Sequence, residues 1–364
     1  MNRIVASGIV KRYGEKEVLH GIDLELEQGK IYGLIGRNGA GKTTLLSILS
    51  AQNPATEGNV AVEISPGAGE SEGGQPTVIR EAVWENPKAL SHLCFSRELN
   101  TMVGNSANTM KVKEYLKIAS LFLPHWDQKM ADRLVAEFGL DTKKKISKLS
   151  KGMLSMVTIV VALASGAEFT FLDEPVAGLD VVAREKFYQL LLEEFTETGR
   201  TFVISTHIIE EAADIFEEVI LLDDGKILLK ENLEELLERA WCVSGREDEV
   251  DRATAGYTQH HVERLGRSKS VTILEPKPDE VQDSVQSVQM TERIQDSDRS
   301  GQMAEKLQDS DRSGQMTEKI QESGFMGQVS TARMKNAAHW NGADVTVQKV
   351  SLQKLFVALC GEEH

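Results

Sequence analysis

Cysteine is scarce in this chain of 364 residues, which contains only three. Cys94, Cys242 and Cys360 lie far apart and form no Cys-x-x-Cys pair. A disulfide framework is therefore not indicated, and the pattern is typical of a cytosolic protein whose thiols stay reduced.

Long apolar runs are missing as well. None reaches the roughly 18 residues that a membrane-spanning helix requires, and the longest candidate, residues 153–164, is better suited to a buried helix. The first residues also lack the basic and then apolar pattern of a signal peptide. We therefore expect any membrane role to come through a partner protein.

Positive charge is the third shortage, since 41 Lys and Arg against 56 Asp and Glu give a net charge of -15. An acidic surface repels nucleic-acid backbones, so we expect no nucleic-acid partner. Hydrophobic residues make up 41% of the chain, which is ordinary for a globular protein. The length predicts about two domains.

What the sequence does contain is an alternation of strands and helices. The apolar run at 31–35 ends in a glycine-rich loop, and we expect a helix from Lys42 onwards. Downstream, an apolar strand at 169–172, a helix at 181–198 and a strand at 201–205 follow one another. Such alternation predicts an α/β fold with a parallel sheet.

The clearest chemical motif is the loop between that first strand and helix, Gly36-Arg37-Asn38-Gly39-Ala40-Gly41-Lys42-Thr43. It fits the pattern G-x-x-x-x-G-K-[ST] in the strand–loop–helix context that this motif requires. Glycines allow backbone N–H groups to close around phosphates, and the helix N-terminus favours negative charge. We expect Lys42 to reach the β- and γ-phosphates of a nucleotide and Thr43 to bind Mg²⁺.

Two adjacent carboxylates, Asp173 and Glu174, follow the apolar strand at 169–172. Such a pair is often no more than a solvated strand end. Beside a phosphate loop, however, Asp173 suits a Mg²⁺ ligand, and Glu174 is placed to polarise an attacking water.

Taken in order, these and three further motifs resemble those of the nucleotide-binding domain of ABC transporters. The full set is the phosphate loop, Leu149-Ser150-Lys151-Gly152-Met153, Leu172-Asp173-Glu174-Pro175, Gly178-Leu179-Asp180 and Ser205-Thr206-His207. The resemblance covers about residues 2–238. It implies a P-loop NTPase fold of the ABC type, an α/β ATPase core with antiparallel β and helical subdomains, that hydrolyses ATP with Mg²⁺.

The resemblance also assigns the nucleotide contacts. Tyr13 matches the aromatic residue that stacks on adenine, although a core or edge-strand tyrosine is the alternative. The implied nucleotide-binding residues are Tyr13, Gly36, Arg37, Asn38, Gly39, Ala40, Gly41, Lys42, Thr43 and Thr44.

The remaining motifs imply a site that two subunits share. Glu174 and His207 match the catalytic residues at the γ-phosphate. Ser150 and Gly152 match the signature loop, which caps the γ-phosphate held by the opposite subunit. Asp180 matches the loop that links the two sites across the dimer.

At two places the sequence departs from the family pattern. Lys151 and Met153 replace the third and fifth residues of the usual Leu-Ser-Gly-Gly-Gln signature. The family also places a glutamine that touches Mg²⁺ after a short strand; residues 93–96 match that strand, but no glutamine follows. Glu98 is the predicted occupant of this position and hence a predicted metal ligand.

The tail of the chain has a different character. Residues 241–275 and 337–361 resemble the small C-terminal extension of some bacterial export-type ABC subunits. Between them, residues 289–327 carry copies of a 13-residue repeat. A step of that length turns a helix by roughly 220°, so the apolar residues of successive copies do not share a face. We interpret the repeats as a disordered linker, with a partner-binding repeat as the alternative.

Two domains are predicted on this basis. An ABC ATPase domain spans residues 1–238 and contains a helical subdomain at about 96–160. A C-terminal accessory extension spans residues 239–364 and is interrupted by the repeat linker at about 276–330.

The expected function is ATP hydrolysis that powers transport, in the direction of export, through separate transmembrane permease subunits. The subunit would act as a homodimer, or as a heterodimer with another ABC ATPase subunit, at the cytoplasmic face of the cell membrane. One alternative is a soluble ABC-type ATPase, although translation types usually carry two ATPase domains and DNA-repair types insert a coiled coil whose heptads are not seen here. Another is a nucleotide-sensing protein that recruits partners through its repeats.

Overall fold

The structure, a computed structural model, describes residues 2–65, 79–99, 109–276, 340 and 342–361. Their contacts divide the chain into two compact units. The core unit comprises Met1–Glu238 together with Ser351–His364, and the accessory unit comprises Arg239–Val350. The repeats predicted at 289–327 lie outside the described residues.

The core unit is built from two β-sheets and the helices packed on them. Its strands are β1 (Arg3–Tyr13), β2 (Lys16–Glu27), β3 (Ile31–Gly36), β4 (Glu57–Ile64), β5 (Ile79–Ala82), β6 (Leu93–Ser96), β7 (Phe169–Asp173), β8 (Thr201–Ser205), β9 (Glu218–Asp223) and β10 (Lys226–Asn232). Its helices before the accessory unit are α1 (Lys42–Leu49), α2 (Pro87–Leu90), α3 (Val112–Phe122), α4 (Gln128–Glu137), α5 (Lys151–Ala164), α6 (Val181–Thr198), α7 (Ile209–Ala212) and α8 (Leu233–Glu238).

The larger sheet has the strand order β10-β9-β3-β8-β7-β6, and only the edge strand β10 is antiparallel to its neighbour. Every residue of β3, β7 and β8 is buried, as expected for strands that are covered on both faces. The predicted parallel α/β core is confirmed. Because parallel strands end at the same edge of a sheet, β3, β7 and β8 bring their carboxyl ends together.

A hairpin turn at Asp224 and Gly225 joins β9 to β10, and Asp-Gly is a dipeptide that such turns favour. Asp224 has φ 40° and Gly225 has φ 71°. Both values are left-handed, as the two central residues of a type I′ turn require.

The smaller sheet is antiparallel, with the order β2-β1-β4-β5. In β2, Ile22, Leu24 and Leu26 are buried, while the residues between them are exposed. This alternation is the mark of a strand with one face on the core, and it confirms the antiparallel β subdomain.

The helical part of the core unit contains α3, α4 and α5. All three lie in the region of the helical subdomain predicted at about 96–160, and α5 extends to Ala164. Helix α5 packs against α4, α3 and β6, and most of its residues are buried. No helix in the described ranges combines the length and the apolar character needed to cross a bilayer.

The accessory unit is a four-stranded antiparallel sheet with one helix. Its elements are β11 (Ala240–Arg246), α9 (Glu247–Ala253), β12 (Gln259–Leu265), β13 (Ser268–Leu274) and β14 (Val345–Lys349), in the sheet order β12-β13-β11-β14. Its core includes Val243, Val250 and Ile273. The rings of Trp340 and Trp241 pack edge-on, with their centroids 6.3 Å apart.

After β14 the chain returns to the core unit as helix α10 (Leu352–Cys360), whose amino end is capped by Ser351. Residues 351–359 were grouped with the accessory extension in the sequence-based division. The contacts of the structure group them with the core unit instead.

A buried arginine ties the helical part to the larger sheet. Arg200 and Glu194 are both buried, and their side chains pair at 2.7 Å between Nη1 and Oε1. The guanidinium also donates to five other groups, namely the carbonyls of Ala162, Leu163 and Ala167 and the hydroxyls of Ser165 and Thr170. All the donors of one side chain are thus used to join α5, β7 and α6.

We predict that Arg200→Met lowers the free energy of unfolding by about 3–5 kcal/mol, because Glu194 and several carbonyls lose their partner in the interior. Urea denaturation measures this loss. Arg133→Met is the matched control, since Arg133 pairs with Glu137 and Glu193 on the surface and its loss should cost at most about 1 kcal/mol. Equal losses in the two variants would contradict the structural role of Arg200.

Candidate functional site

The phosphate loop lies between the end of β3 and the start of α1. Gly39 and Gly41 have φ of 86° and 105°, which side-chain-bearing residues rarely adopt. A Cβ added at Gly41 would lie 2.7 Å from the Leu19 side chain, and one added at Gly36 would lie 2.2 Å from the carbonyl oxygen of Leu222. The loop can therefore follow this path only with glycine at these positions.

The Lys42 side chain folds back beneath this loop. Its Nζ donates to the carbonyl oxygens of Gly36 at 2.6 Å and Arg37 at 3.2 Å. Burial lowers the pKa of Lys42 from its ordinary value, while Glu174 and Asp173 act in the opposite direction. A desolvated cation that faces two carboxylates from inside a glycine loop is suited to anionic ligands.

Asp173 lies at the carboxyl end of β7, in register with Ser205 at the end of β8. The Ser205 hydroxyl donates to Asp173 Oδ1 at 2.6 Å, and Ser205 Oγ accepts from the Glu174 backbone N–H at 3.1 Å. One buried hydroxyl thus holds both the Asp173 carboxylate and the backbone of Glu174. The Asp173 carboxylate and the Thr43 hydroxyl are oxygen ligands of the kind that Mg²⁺ prefers.

Glu174 leaves the strand in a left-handed conformation, with φ 49°. Non-glycine residues seldom adopt this conformation, and it is concentrated at functional sites. His207 Nδ1 lies 2.6 Å from Glu174 Oε2. The imidazole and the carboxylate are 57% and 26% exposed, so this pair stands open to a ligand and to water.

The signature residues contact a different part of the chain. Ser150 caps α5 by accepting from the Met153 N–H at 3.3 Å. Gly152 lies so close to the following motif that an added Cβ would be 2.6 Å from the Gly178 carbonyl oxygen. Asp180 caps α6 through the Ala183 N–H at 2.9 Å. Gly152 thus packs with the loop before α6 and Ser150 caps its own helix, whereas Lys42 contacts its own loop.

Tyr13 stands at the end of β1 with 51% of its surface exposed. Its hydroxyl accepts from Asn53 Nδ2 at 2.6 Å, and Lys11 Nζ lies 5.0 Å from the ring centroid. An aromatic ring held at its edge and exposed to solvent can stack on a planar ligand. Its predicted contact with adenine remains a prediction.

Comparison with known proteins decides the family. The family model described as ABC transporter matches residues 19–177. An uncharacterized ABC transporter ATP-binding protein of Methanocaldococcus jannaschii is 30% identical over 234 residues, which cover 64% of this chain and 79% of that protein. The chain belongs to the ABC transporter ATP-binding proteins.

Two further comparisons support the assignment. Aliphatic sulfonates import ATP-binding protein SsuB 1 of Rhizobium johnstonii is 28% identical over 228 residues, covering 62% of this chain and 75% of that protein. A solved structure of an ATP-binding subunit of an ABC transporter has a TM-score of 0.51 at 21% identity, covers 65% of this chain and 92% of that one, and shows the shared fold. This protein is therefore an ABC ATPase that binds and hydrolyses ATP as the ATP-binding subunit of an ABC transporter. Since one relative is named for import, the export assignment stays a prediction.

Lys151 of the signature lies beside Glu98, the predicted occupant of the second departure from the family pattern. Lys151 Nζ lies 3.4 Å from Glu98 Oε1, and the two side chains are 56% and 52% exposed. At that exposure the pair stabilises the fold only slightly. The stem of Lys151 also crosses Gly178, where an added Cβ would lie 2.7 Å from Lys151 Cγ.

Glu98 shares a cleft of about 550 Å³ with Asp173. The cleft is lined by Gln52, Phe95, Ser96, Arg97, Glu98, Leu99, Tyr115, Thr158, Val161 and Asp173. A metal role for Glu98 therefore remains a prediction that competes with its pairing to Lys151. In the described part of the chain, no group of three or more His, Cys, Asp or Glu side chains could hold a metal ion by itself.

The motif Ser205-Thr206-His207 includes Ser205, but its role as the partner of Asp173 and of the Glu174 backbone was not predicted. The signal was available, because a hydroxyl at the end of a buried parallel strand next to the Asp173 strand must meet that carboxylate if the strands end together. That Asp173 is the partner of Ser205 could be identified only once the order of the strands in the sheet was known.

We predict that Ser205→Ala lowers kcat about tenfold and raises the Mg²⁺ concentration needed for half-maximal ATPase activity, because Asp173 and the Glu174 backbone lose their shared partner. Steady-state ATPase assays with a Mg²⁺ titration measure both. Thr196→Ala removes a surface hydroxyl bonded to the Leu192 carbonyl and should change neither value. Wild-type kinetics in Ser205→Ala would show that the hydroxyl does not position the site.

Proposed function

We propose that two of these subunits close head to tail around two ATP molecules and thereby drive transport through separate transmembrane permease subunits. The packing of Gly152 supports this arrangement. It lies against the loop before α6 of its own chain, so we infer that a second chain supplies the signature residues to a phosphate held by the loop at 36–44.

Within each half-site, the geometry supports distinct roles. Lys42 would exchange its carbonyl partners for phosphate oxygens. Thr43 and Asp173 would hold Mg²⁺, which neutralises charge on the phosphates when bound. Glu174 would take the proton of the attacking water, and His207, already 2.6 Å from Glu174 Oε2, would hold that carboxylate and reach the γ-phosphate.

An apolar pair at the start of α6 supports a dimer of ATPase subunits. Val181 and Val182 directly follow Asp180 and are 63% and 76% exposed. Neighbouring apolar side chains left in water beside a functional loop are typical of a protein contact. A homodimer or a heterodimer with another ABC ATPase subunit would cover them.

The proposal of a permease partner rests on an exposed apolar face of α3. Tyr115, Ile118 and Phe122 recur at helical spacing and so share a face, and Tyr115 lines the cleft that contains Asp173. Leu121 and Phe122 are 74% and 80% exposed. An apolar helix face that runs outward from the catalytic cleft fits a permease subunit, which would cover it.

The location follows from that partner, since a permease would hold the subunit at the cytoplasmic face of the cell membrane. Export is the direction that we propose, from the resemblance of residues 241–275 and 337–361 to the extension of export-type subunits. Inside-out vesicles test the direction, because an exporter accumulates its substrate in them when ATP is added.

We predict that Lys42→Ala and Glu174→Gln fail for different reasons. Lys42→Ala should lose ATP affinity, because the cation that faces the phosphates is gone. Glu174→Gln should keep ATP affinity, lose turnover and accumulate an ATP-bound dimer, because the base is gone. Nucleotide binding, ATPase assays and size-exclusion chromatography with Mg-ATP distinguish them. Wild-type turnover in Glu174→Gln would remove that residue from the role of base.

We predict that the pair Leu121→Ser and Phe122→Ser abolishes co-purification with the permease while leaving the ATPase activity of the isolated subunit unchanged. The probe is co-expression with any membrane protein of several spans that a neighbouring gene is found to encode. Leu265→Ser is the matched control, since Leu265 is 86% exposed in the accessory unit. Unchanged co-purification would show that α3 is not the docking face, and the lack of any multi-span partner would favour a soluble ATPase.

A further inference from the structure

Helix α10 packs beside the strand that leads into the phosphate loop. Its apolar residues Leu352, Leu355, Phe356 and Leu359 line the same apolar interface as Ile35 of β3, Val219 and Leu221 of β9, Leu229 of β10 and Leu236 of α8. Leu355 is 1% exposed. The helix is thus fixed to the core unit by a continuous apolar face.

The carboxyl end of α10 reaches the phosphate loop itself. Arg37, the second residue of the loop, donates from Nη1 to the carbonyl oxygen of Cys360 at 3.3 Å. Cys360 is the last residue of α10, where carbonyl groups lack a partner within the helix and the helix dipole favours a cation. The Arg37 guanidinium supplies both a hydrogen-bond donor for the Cys360 carbonyl and a positive charge at the carboxyl end of the helix.

The same helix contacts a second part of the site. It packs against α7, which begins at Ile209, two residues after His207. One helix near the end of the chain therefore touches both the phosphate loop and the segment that follows the histidine.

Arg37 is also the loop residue to which Lys42 is bonded. The Arg37 carbonyl accepts from Lys42 Nζ at 3.2 Å, while its guanidinium binds α10. When Lys42 turns to a bound phosphate, its bond to the Arg37 carbonyl is given up, and the contact with α10 is left to restrain this part of the loop. This restraint should favour nucleotide binding. Gly36, Gly39 and Gly41 give the loop backbone more conformational freedom than other residues would, and that freedom is lost when a nucleotide binds.

We propose that α10 is a positioning element of the nucleotide site and that Arg37 is the positioning residue through which it acts. Arg37 holds the loop in its binding conformation because its guanidinium anchors the loop to the carboxyl end of α10. The predicted nucleotide contact of Arg37 is then left to its backbone, and its guanidinium does not contact the nucleotide. This inference rests on the proposed phosphate-binding role of residues 36–44.

Arg37→Met tests the anchor. The dissociation constant for ATP should rise about tenfold, the equivalent of one hydrogen bond to a charged group, and KM should rise with it while kcat changes little. Arg37→Lys keeps the cation and should recover part of the affinity. Lys354→Met is the control, since it removes an exposed cation from the same helix and should leave both constants unchanged.

A double-mutant cycle shows whether Arg37 acts through α10. Leu355→Ala loosens the helix without touching the loop, and it should weaken ATP binding by itself. Adding Arg37→Met to Leu355→Ala should then cost little more, because the anchor is already lost. A further tenfold loss in that background would mean that Arg37 contacts the nucleotide directly and would overturn the proposal, as would unchanged ATP affinity in Leu355→Ala.

Circular dichroism and urea unfolding establish that each variant is folded. If Leu355→Ala does not fold, Phe356→Leu, which shortens a half-buried side chain of α10, takes its place in the cycle. If residues 36–44 do not bind phosphate at all, the measurement differs: Lys42→Ala would then bind ATP as tightly as the wild type.

Discussion

Asp173 pairs in register with Ser205 across β7 and β8, and Ser205 pairs in turn with Leu34 across β8 and β3. This register places the phosphate loop, the carboxylate pair and the orienting hydroxyl at one edge of the sheet. Because side chains alternate between the faces of a strand, a slip of one residue would turn Asp173 or Ser205 away from the other. The chemistry of the site therefore depends on strand pairing in the buried core.

Close backbone approaches act as a second constraint on top of the register. Gly36 leaves no space for a Cβ beside Leu222, and Gly152 leaves none beside Gly178. The first approach holds the phosphate loop against β9, and the second holds the signature helix against the loop before α6. In both places a side chain would separate two functional segments, so the glycines set distances rather than merely permitting turns.

The unusual residues of this ABC ATPase form a pair. Lys151 replaces a residue of the usual signature, Glu98 is the predicted occupant of the missing glutamine's position, and their charges are opposite. Their pairing joins the cleft that holds Asp173 to the start of α5. Such an exposed pair contributes little to stability. Its main effect is to orient the Glu98 side chain, which lines the cleft, toward Lys151.

Much of the site was predictable because its signals are local. The loop from Gly36 to Thr43 and the carboxylates Asp173 and Glu174 each lie on one short segment whose hydrophobic pattern and flanking residues determine the local structure. The helix at 181–198, the strand at 201–205 and the turn at Asp224 could be predicted for the same reason.

Long-range pairing decided the rest. Ser205 at Asp173, Lys151 at Glu98 and Arg37 at Cys360 are separated by 32, 53 and 323 residues, and no periodicity within a segment encodes such partners. The place of α10 is the clearest case. Its apolar face is visible in the sequence, but the surface that it covers is assembled from β3, β9, β10 and α8, and that surface exists only once the chain has folded.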